Sequence, residues 1–429
     1  MVVLSGMVAV ILIVINGIYD FCKRSTATFL WVSLFVFFGY SHLVTCISGE
    51  YSANILNEAS LMVCIFCVLY LVVRIVLGKA SNFRKLFISN SKVQKDNCTT
   101  MINKNMCKIL LFILIMTTLL YFIDVMKYAG TISNISKNII YDNRYASYYI
   151  LFIDYMWSAG TAVLFLYLLQ RNYVISAISG LCIIAMSCLT FTRTHLIILF
   201  VCIICYYIYN ENINIRTMFL LLCFGIIAII AMYLLRGFRY YYSFADIGNV
   251  SFFEIISKSI GLLEKKSGDI YLSDYFYQII LSNGRIRGTG HGEGYIRLLL
   301  MPFPSKICMG IKPDDLCLTL GKYFGDQNSK MLSITPTLFG DCYANFGFCG
   351  TGMGIVWAFI AEILDRIAFD KNFTQSRLRL ILICSAYINI GRGDVYNAMA
   401  GIWYGIIIYY LLGLVANVDL GPKYIMKVR

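Results

Sequence analysis

ASLMVCIFCVLYLVVRIVLG, residues 59–78, is a run of twenty residues in which apolar side chains follow one another with no turn signal until its final glycine. As a helix it would be about 30 Å long, which matches the thickness of a bilayer's hydrocarbon core and exceeds the length of most core helices. Runs of the same kind recur on both sides of it. Helices are predicted near 2–19, 28–47, 59–78, 109–126, 146–169, 174–191, 195–209, 217–235, 343–364, 378–390 and 395–416. The expected fold is therefore all-α: a polytopic integral membrane protein of about 11 transmembrane helices.

Composition agrees with that reading. Of 429 residues, 59% are hydrophobic and 14% charged, against about 45–50% and 25% in soluble domains. Two stretches, 174–209 and 378–416, are almost continuously apolar. A helix of 36 residues would be about 54 Å long, so each stretch must turn once, at Thr192–His195 and at Gly391–Asp394.

The net charge of +13 suits a nucleic-acid partner only if the charges form one face, and here they sit in short connections between apolar runs. Alternate connections hold 18 and five Lys and Arg residues. The richer set includes Lys23 and Arg24, seven residues from Lys79 to Lys108, and the C-terminal Lys423, Lys427 and Arg429. By the positive-inside rule this set is cytoplasmic. The expected organisation is a bundle of about eight helices over 1–235 with the N-terminus outside, a large outer segment over 236–335, and about three helices over 336–429 with the C-terminus inside. No nucleic acid is expected as a partner. The first apolar run ends in Tyr19-Asp20, not a small-residue site, so no cleaved signal peptide is expected.

Most of the sixteen cysteines lie inside apolar runs, where they read as small hydrophobes. The CxxC pairs Cys64/Cys67 and Cys202/Cys205 have no nearby His or carboxylate to complete a metal site, so no metal and no cofactor is expected. Cys308 and Cys317 lie outside the runs and are read as two free thiols in preference to a disulfide. His42, alone in an apolar run, reads as a core residue.

The outer segment is too long for a simple connector. Residues 250–264 pattern as an amphipathic helix with Phe252, Phe253, Ile256, Ile260 and Leu263 on one face, suited either to a membrane surface or to the bundle. Next comes Gly284-Arg-Ile-Arg-Gly-Thr-Gly-His-Gly-Glu-Gly294. Its glycines free the backbone to turn N–H groups toward an anion, and the forks of Arg285 and Arg287 pair with phosphate oxygens. The spacing is neither that of the P-loop nor that of the Rossmann turn. Arg193, Arg236, Arg239 and Arg392 add positive charge on the same side, where orientation alone would not put it. An anionic ligand at the outer interface accounts for them, some pairing structurally with Asp246, Asp341 or Asp394. A lipid diphosphate leaving group needs charge stabilisation, which arginines supply without metal, and one base for the attacking hydroxyl. His291, Glu293, Asp341 and Asp394 are the candidate bases.

Three stretches, Tyr295-Ile-Arg-Leu-Leu-Leu-Met-Pro-Phe-Pro-Ser305, Ile311-Lys-Pro313 and Thr335-Pro-Thr-Leu-Phe-Gly-Asp-Cys-Tyr-Ala-Asn-Phe-Gly-Phe-Cys-Gly350, resemble the O-antigen polymerase (Wzy) family of oligosaccharide repeat unit polymerases. Asp341 stands where members often have Glu, and Pro304-Ser305 replaces a Pro-Arg. The resemblance implies a GT-C-like membrane glycosyltransferase of the bacterial inner membrane. Such an enzyme transfers a growing glycan from undecaprenyl pyrophosphate to a newly flipped lipid-linked unit at the periplasmic face, alongside a chain-length regulator and a flippase. Asp341, Tyr343 and Asn345 are the positions it carries over, with Tyr343 and Asn345 as substrate-binding residues. Gly347, Gly350, Gly352 and Gly354 read as helix-packing positions. The rival readings are an O-antigen ligase, which differs in its acceptor, a non-enzymatic polysaccharide flippase, which would show related halves, and a membrane O-acetyltransferase, which would want a His-centred site on early helices.

Overall fold

A computed structural model of the chain describes residues 2–80, 104–132, 162–190, 194–210, 253–258, 271–282, 289–303, 310–324, 333–369 and 373–417, with isolated positions elsewhere. Its elements are all helical. In chain order they are α1 (Val2–Cys22), α2 (Thr28–Leu34), α3 (Tyr40–Ser48), α4 (Ala53–Ala80), α5 (Lys104–Ala129), α6 (Val163–Leu169), α7 (Tyr173–Thr190) and α8 (Thr194–Asn210). They continue as α9 (Ser273–Ser282), α10 (Glu293–Leu299), α11 (Leu316–Phe324), α12 (Thr337–Phe346), α13 (Met353–Ala368), α14 (Phe373–Arg392) and α15 (Val395–Asn417). A π turn over Phe35–Gly39 joins α2 to α3, and a 3₁₀ turn over Gly347–Gly352 joins α12 to α13.

Among the described residues, six helical runs are long and apolar enough to cross a membrane: Val2–Cys22, Thr28–Ser48, Ala53–Lys79, Lys104–Ala129, Thr337–Ala368 and Val395–Val415. Two shorter apolar helices, Tyr173–Leu189 and Leu196–Tyr209, flank the expected turn at 192–195. The second expected turn is drawn in full. α14 ends at Arg392, Gly393 takes φ +102°, and α15 begins at Val395. The expected helix over 146–169 is described only for Val163–Leu169, and that over 217–235 only at single helical positions. Of the amphipathic stretch 250–264, residues 253–258 are described and helical, with Phe253 exposed.

The chain divides into two compact units. One comprises Met1–Lys92, Leu262–Phe369 and Leu382–Trp403; the other comprises Val93–Gly261, Asp370–Ile381 and Tyr404–Arg429. In the first, side-chain bonds give the helix directions. Ser5 bonds Asn57, Asn16 bonds the Cys67 carbonyl and Asp20 bonds Arg74, so α1 and α4 run parallel. Thr26 lies against Asp365 and His42 against Ser60, so the α2–α3 run returns in the opposite sense. His42 is fully buried, with Nδ1 2.7 Å from the Tyr277 hydroxyl and Nε2 2.9 Å from Ser60 Oγ, a satisfied core residue as expected.

The run Thr337–Ala368 differs from the single helix expected over 343–364. Phe339 packs edge-on against Phe66, Tyr343 reaches Glu58, and after the 3₁₀ turn Gly354 lies against the Phe66 backbone. α12 therefore runs back along α4 and α13 runs forward beside it, a hairpin with its bend at Gly347–Gly352. The bend is tight, because a Cβ on Gly350 would stand 2.5 Å from the Cys342 carbonyl oxygen. Gly350 and Gly354 are close-packing positions and Gly347 takes φ +58°, whereas a Cβ on Gly352 would meet nothing within 4 Å. At the other end of α4, Arg74 is almost fully buried. Its guanidinium bonds Asp20 at 2.9 Å, Glu362 at 2.8 Å and Asp365 at 2.9 Å.

Candidate functional site

The hairpin carries Asp341 and Asn345 on α12, both buried. They lie one helical turn apart, on the same face. Asn345 Nδ2 donates to the Asp341 carbonyl oxygen at 2.9 Å and lies 3.5 Å from its carboxylate. The other end of the amide holds a second segment: Asn345 Oδ1 accepts the Gly294 N–H at 2.7 Å, and the Asn345 carbonyl accepts the Gly292 N–H at 2.8 Å. These bonds explain two of the glycines. A Cβ on Gly294 would stand 2.9 Å from the Asn345 amide, and one on Gly292, where φ is +78°, would stand 2.8 Å from the Phe346 ring. At these positions the glycine-rich stretch is a close-packing element against α12.

Once Gly292 and Gly294 are clamped, α10 projects Tyr295 and Arg297 into a cleft. Its walls are Gly294, Tyr295 and Arg297; Asp315, Leu316 and Cys317 at the start of α11; Asp341 of α12; and Gly393, Val395 and Tyr396 of the α14–α15 turn. The enclosed space is of water size, so a sugar would have to sit at the mouth. The Tyr295 hydroxyl lies 3.4 Å from Cys342 Sγ, accepts from Trp357 Nε1 at 3.2 Å and lies within hydrogen-bonding reach of the Asp341 carboxylate. Asp315 caps α11 through the Cys317 N–H at 2.9 Å. The N-capping side chain followed by apolar Leu316 is a helix-start signal, and that much of the site could have been found in the sequence.

Arg297 is held loosely compared with Arg74. It donates Nη1–H to the Pro313 carbonyl, stacks 4.2 Å from the Tyr396 ring centre, and keeps Asp315 at 3.9 Å. Its Nε–H has no hydrogen-bond partner. Lys312 lies 5.6 Å from the centre of the same Tyr396 ring. Asp394 accepts from Asn397 at 2.8 Å. Burial, and then repulsion from Asp315, pushes its carboxyl up to about 6 against the pull of Asn397 and Arg392. The turn that carries it is tightly fitted: a Cβ on Gly393 would stand 2.5 Å from the Thr337 nitrogen, and Thr337 itself takes φ +63°. That conformation is costly for a β-branched residue.

The residues expected at the site therefore divide. Asp341, Asn345, Asp394 and Arg392 are brought to the cleft or its wall. Glu293 begins α10 and spends one carboxylate oxygen on the His291 N–H at 2.9 Å, with His291 exposed. Tyr343 donates to Glu58 at 2.6 Å and faces α4. Arg193, Arg236, Arg239, Arg285 and Arg287 lie outside the described residues. Cys308 and Cys317 are free thiols. Among the described residues no cluster of three His, Cys, Asp or Glu could hold a metal ion. Sequence reasoning did not single out Tyr295, Asp315 or Tyr396, and Arg297 entered it within the stretch Tyr295–Ser305.

No protein-family model matches the sequence, and no characterised protein or solved structure is significantly similar to it.

Proposed function

We propose that this protein is a membrane glycosyltransferase that polymerises lipid-linked oligosaccharides. It transfers a growing glycan from undecaprenyl pyrophosphate to the non-reducing sugar of a new lipid-linked unit, at the periplasmic side of a bacterial inner membrane. The carrying observation is convergence. The three stretches that resemble the polymerase family, all within residues 295–350, fold back on one another and supply Tyr295 and Arg297, Pro313, and Asp341 with Asn345 to one cleft and its immediate wall. In this reading the fold is GT-C-like with about eleven crossings.

Asp341 is the base. It lines the cleft, it has a hydroxyl beside it for orientation, and its helix is fixed by the Asn345 bonds. Glu293 is already engaged by its own loop. The acceptor hydroxyl oxygen attacks the anomeric carbon of the donor, the bond from that carbon to the pyrophosphate oxygen breaks with its electron pair, and Asp341 takes the hydroxyl proton. Arg297, with an N–H to spare, and Arg392 stabilise the charge that grows on the leaving pyrophosphate. Arg193, Arg236, Arg239, Arg285 and Arg287, outside the described residues, are the further anion-binding candidates from the sequence.

The test is gel analysis of surface polysaccharide from a null strain complemented with this chain. Wild type restores the chain-length ladder, and D341N leaves single-unit lipid intermediates. A ladder that persists with D341N overturns the assignment of the base. Ala at Arg193, Arg285 and Arg287 together abolishes long polymer, and an unchanged ladder there overturns the pyrophosphate assignment.

A further inference from the structure

The described residues from α10 to Pro313 draw together into an excursion. Arg297 bonds the Pro313 carbonyl, Lys312 Nζ bonds the Phe303 carbonyl at 2.9 Å, and the Ile311 N–H bonds the Cys308 carbonyl at 2.8 Å. Its neck and one face are polar and line the cleft. Met301 is buried, but four of its large apolar side chains are uncovered: Leu299 is 79% exposed, Phe303 53%, Ile307 66% and Ile311 72%. Four large apolar residues left open within thirteen positions are far from the scattered single exposures of an ordinary surface.

The foot of the excursion shows what surrounds it. Tyr295 bonds Trp357, which is buried in α13 five residues past the bend, and α13 belongs to a run apolar enough to cross a membrane. Gly354 of the same helix lies beside Phe66, thirteen residues into α4. At 1.5 Å per residue that is about 20 Å from the start of α4. The excursion is thus rooted well down the bundle, and Leu299 is only four residues, about 6 Å of helix, beyond Tyr295. From Gly294 to Pro313 there is no Asp or Glu, while Arg297, Lys306 and Lys312 are basic. The anions Glu293, Asp314 and Asp315 stand at the two ends of the excursion, and the apolar side chains with basic residues between them suit acyl chains beneath headgroups.

We infer that the described residues of this excursion, 293–303, 307–308 and 310–313, are membrane-inserted, with Leu299, Phe303, Ile307 and Ile311 among lipid acyl chains, so that one wall of the cleft borders lipid. This does not rest on the polymerase reading, because the contact is with bulk bilayer lipid.

The test is photocrosslinking of the full-length protein in nanodiscs of phosphatidylethanolamine and phosphatidylglycerol. The photoreactive residue p-benzoylphenylalanine replaces Leu299, Phe303 or Ile311, with Val72 of α4 as a lipid-facing reference and exposed Asp314 as an aqueous one. Mass spectrometry is expected to find phospholipid adducts at 299, 303 and 311 as at 72, and none at 314. The inference is overturned if adducts form at 72 and not at the three test positions. It is equally overturned if the three positions yield crosslinked dimers in place of lipid adducts, which would make the patch an interface between copies. Polymer formation is not the readout, so failure of the enzymatic assignment leaves this result interpretable, and the reverse also holds.

Discussion

Two groups of charges in the first unit use similar side chains to opposite ends. Arg74 is satisfied on every side: its Nε, Nη1 and Nη2 all donate to carboxylates or to Ser25. Asp20 also accepts from Tyr70 and Trp31, and Asp365 from Ser25 and Thr26. The cleft sets Arg297 near Asp315 at 3.9 Å with one N–H unspent, and crowds Asp315, Asp341 and Asp394 around Cys317. A charge cluster whose bonds are complete has nothing left to offer a ligand and holds α1, α4 and α13 together. One whose bonds are incomplete keeps capacity for a substrate.

If that contrast is right, R74A gives the largest effect, and it falls on the fold. Leaving Asp20 buried, and Glu362 and Asp365 half-buried, without their cation costs about 3–5 kcal/mol, read as loss of folded protein by size-exclusion fluorescence. D341N should instead leave folded yield unchanged and lower polymer formation at least about a hundredfold. Equal losses of folded protein in both variants would erase the distinction. G294A stands between them, since its Cβ must push the Asn345 amide aside. We expect about 1–3 kcal/mol of destabilisation, measured by thermal unfolding, together with loss of polymer. R297K keeps the charge but gives up the planar fork and much of the stacking on Tyr396, and should reduce polymer formation by about tenfold.

The smallest effect concerns acid. The folded chain holds the Asp394 proton more tightly than the unfolded chain does, so ionisation of this group removes stability as pH rises from about 4 through about 6. Relative to D394N, the wild type should therefore gain melting temperature as pH is lowered from 7.5 to 4.5. A constant difference across that range would remove Asp394 from the account.

Local patterns made much of the architecture legible. Residues 59–78 announce a spanning helix because length and apolarity suffice for that, and Gly391–Asp394 announces a turn because 39 apolar residues cannot remain straight in a bilayer. The hairpin at Gly347–Gly352 was hidden. Its two limbs are each apolar, and only contacts of Phe339, Tyr343 and Gly354 with α4, nearly 300 positions away in sequence, reveal that the chain doubles back. Arg74 carried a signal that went unread, since a cation inside an apolar run needs partners or a wet cavity. Its partners Asp20, Glu362 and Asp365 lie 54, 288 and 291 positions away. In the cleft, Asp341 and Asn345 were visible through a motif. Asp315 offered a helix-start signal that went unread, whereas Tyr295 and Tyr396 depend on long-range packing that no spacing rule encodes.

The close approach of Gly393 to Thr337 bears on how this protein can diverge. Any side chain at 393 would strike the Thr337 backbone, and Thr337 is already held in a left-handed conformation. Neither position can drift alone, whereas the lipid-facing residues around them are free to exchange one hydrocarbon for another. Among distant descendants of this chain, the glycine between the last two helices should outlast almost every residue beside it, a fixed point from which their alignment can begin.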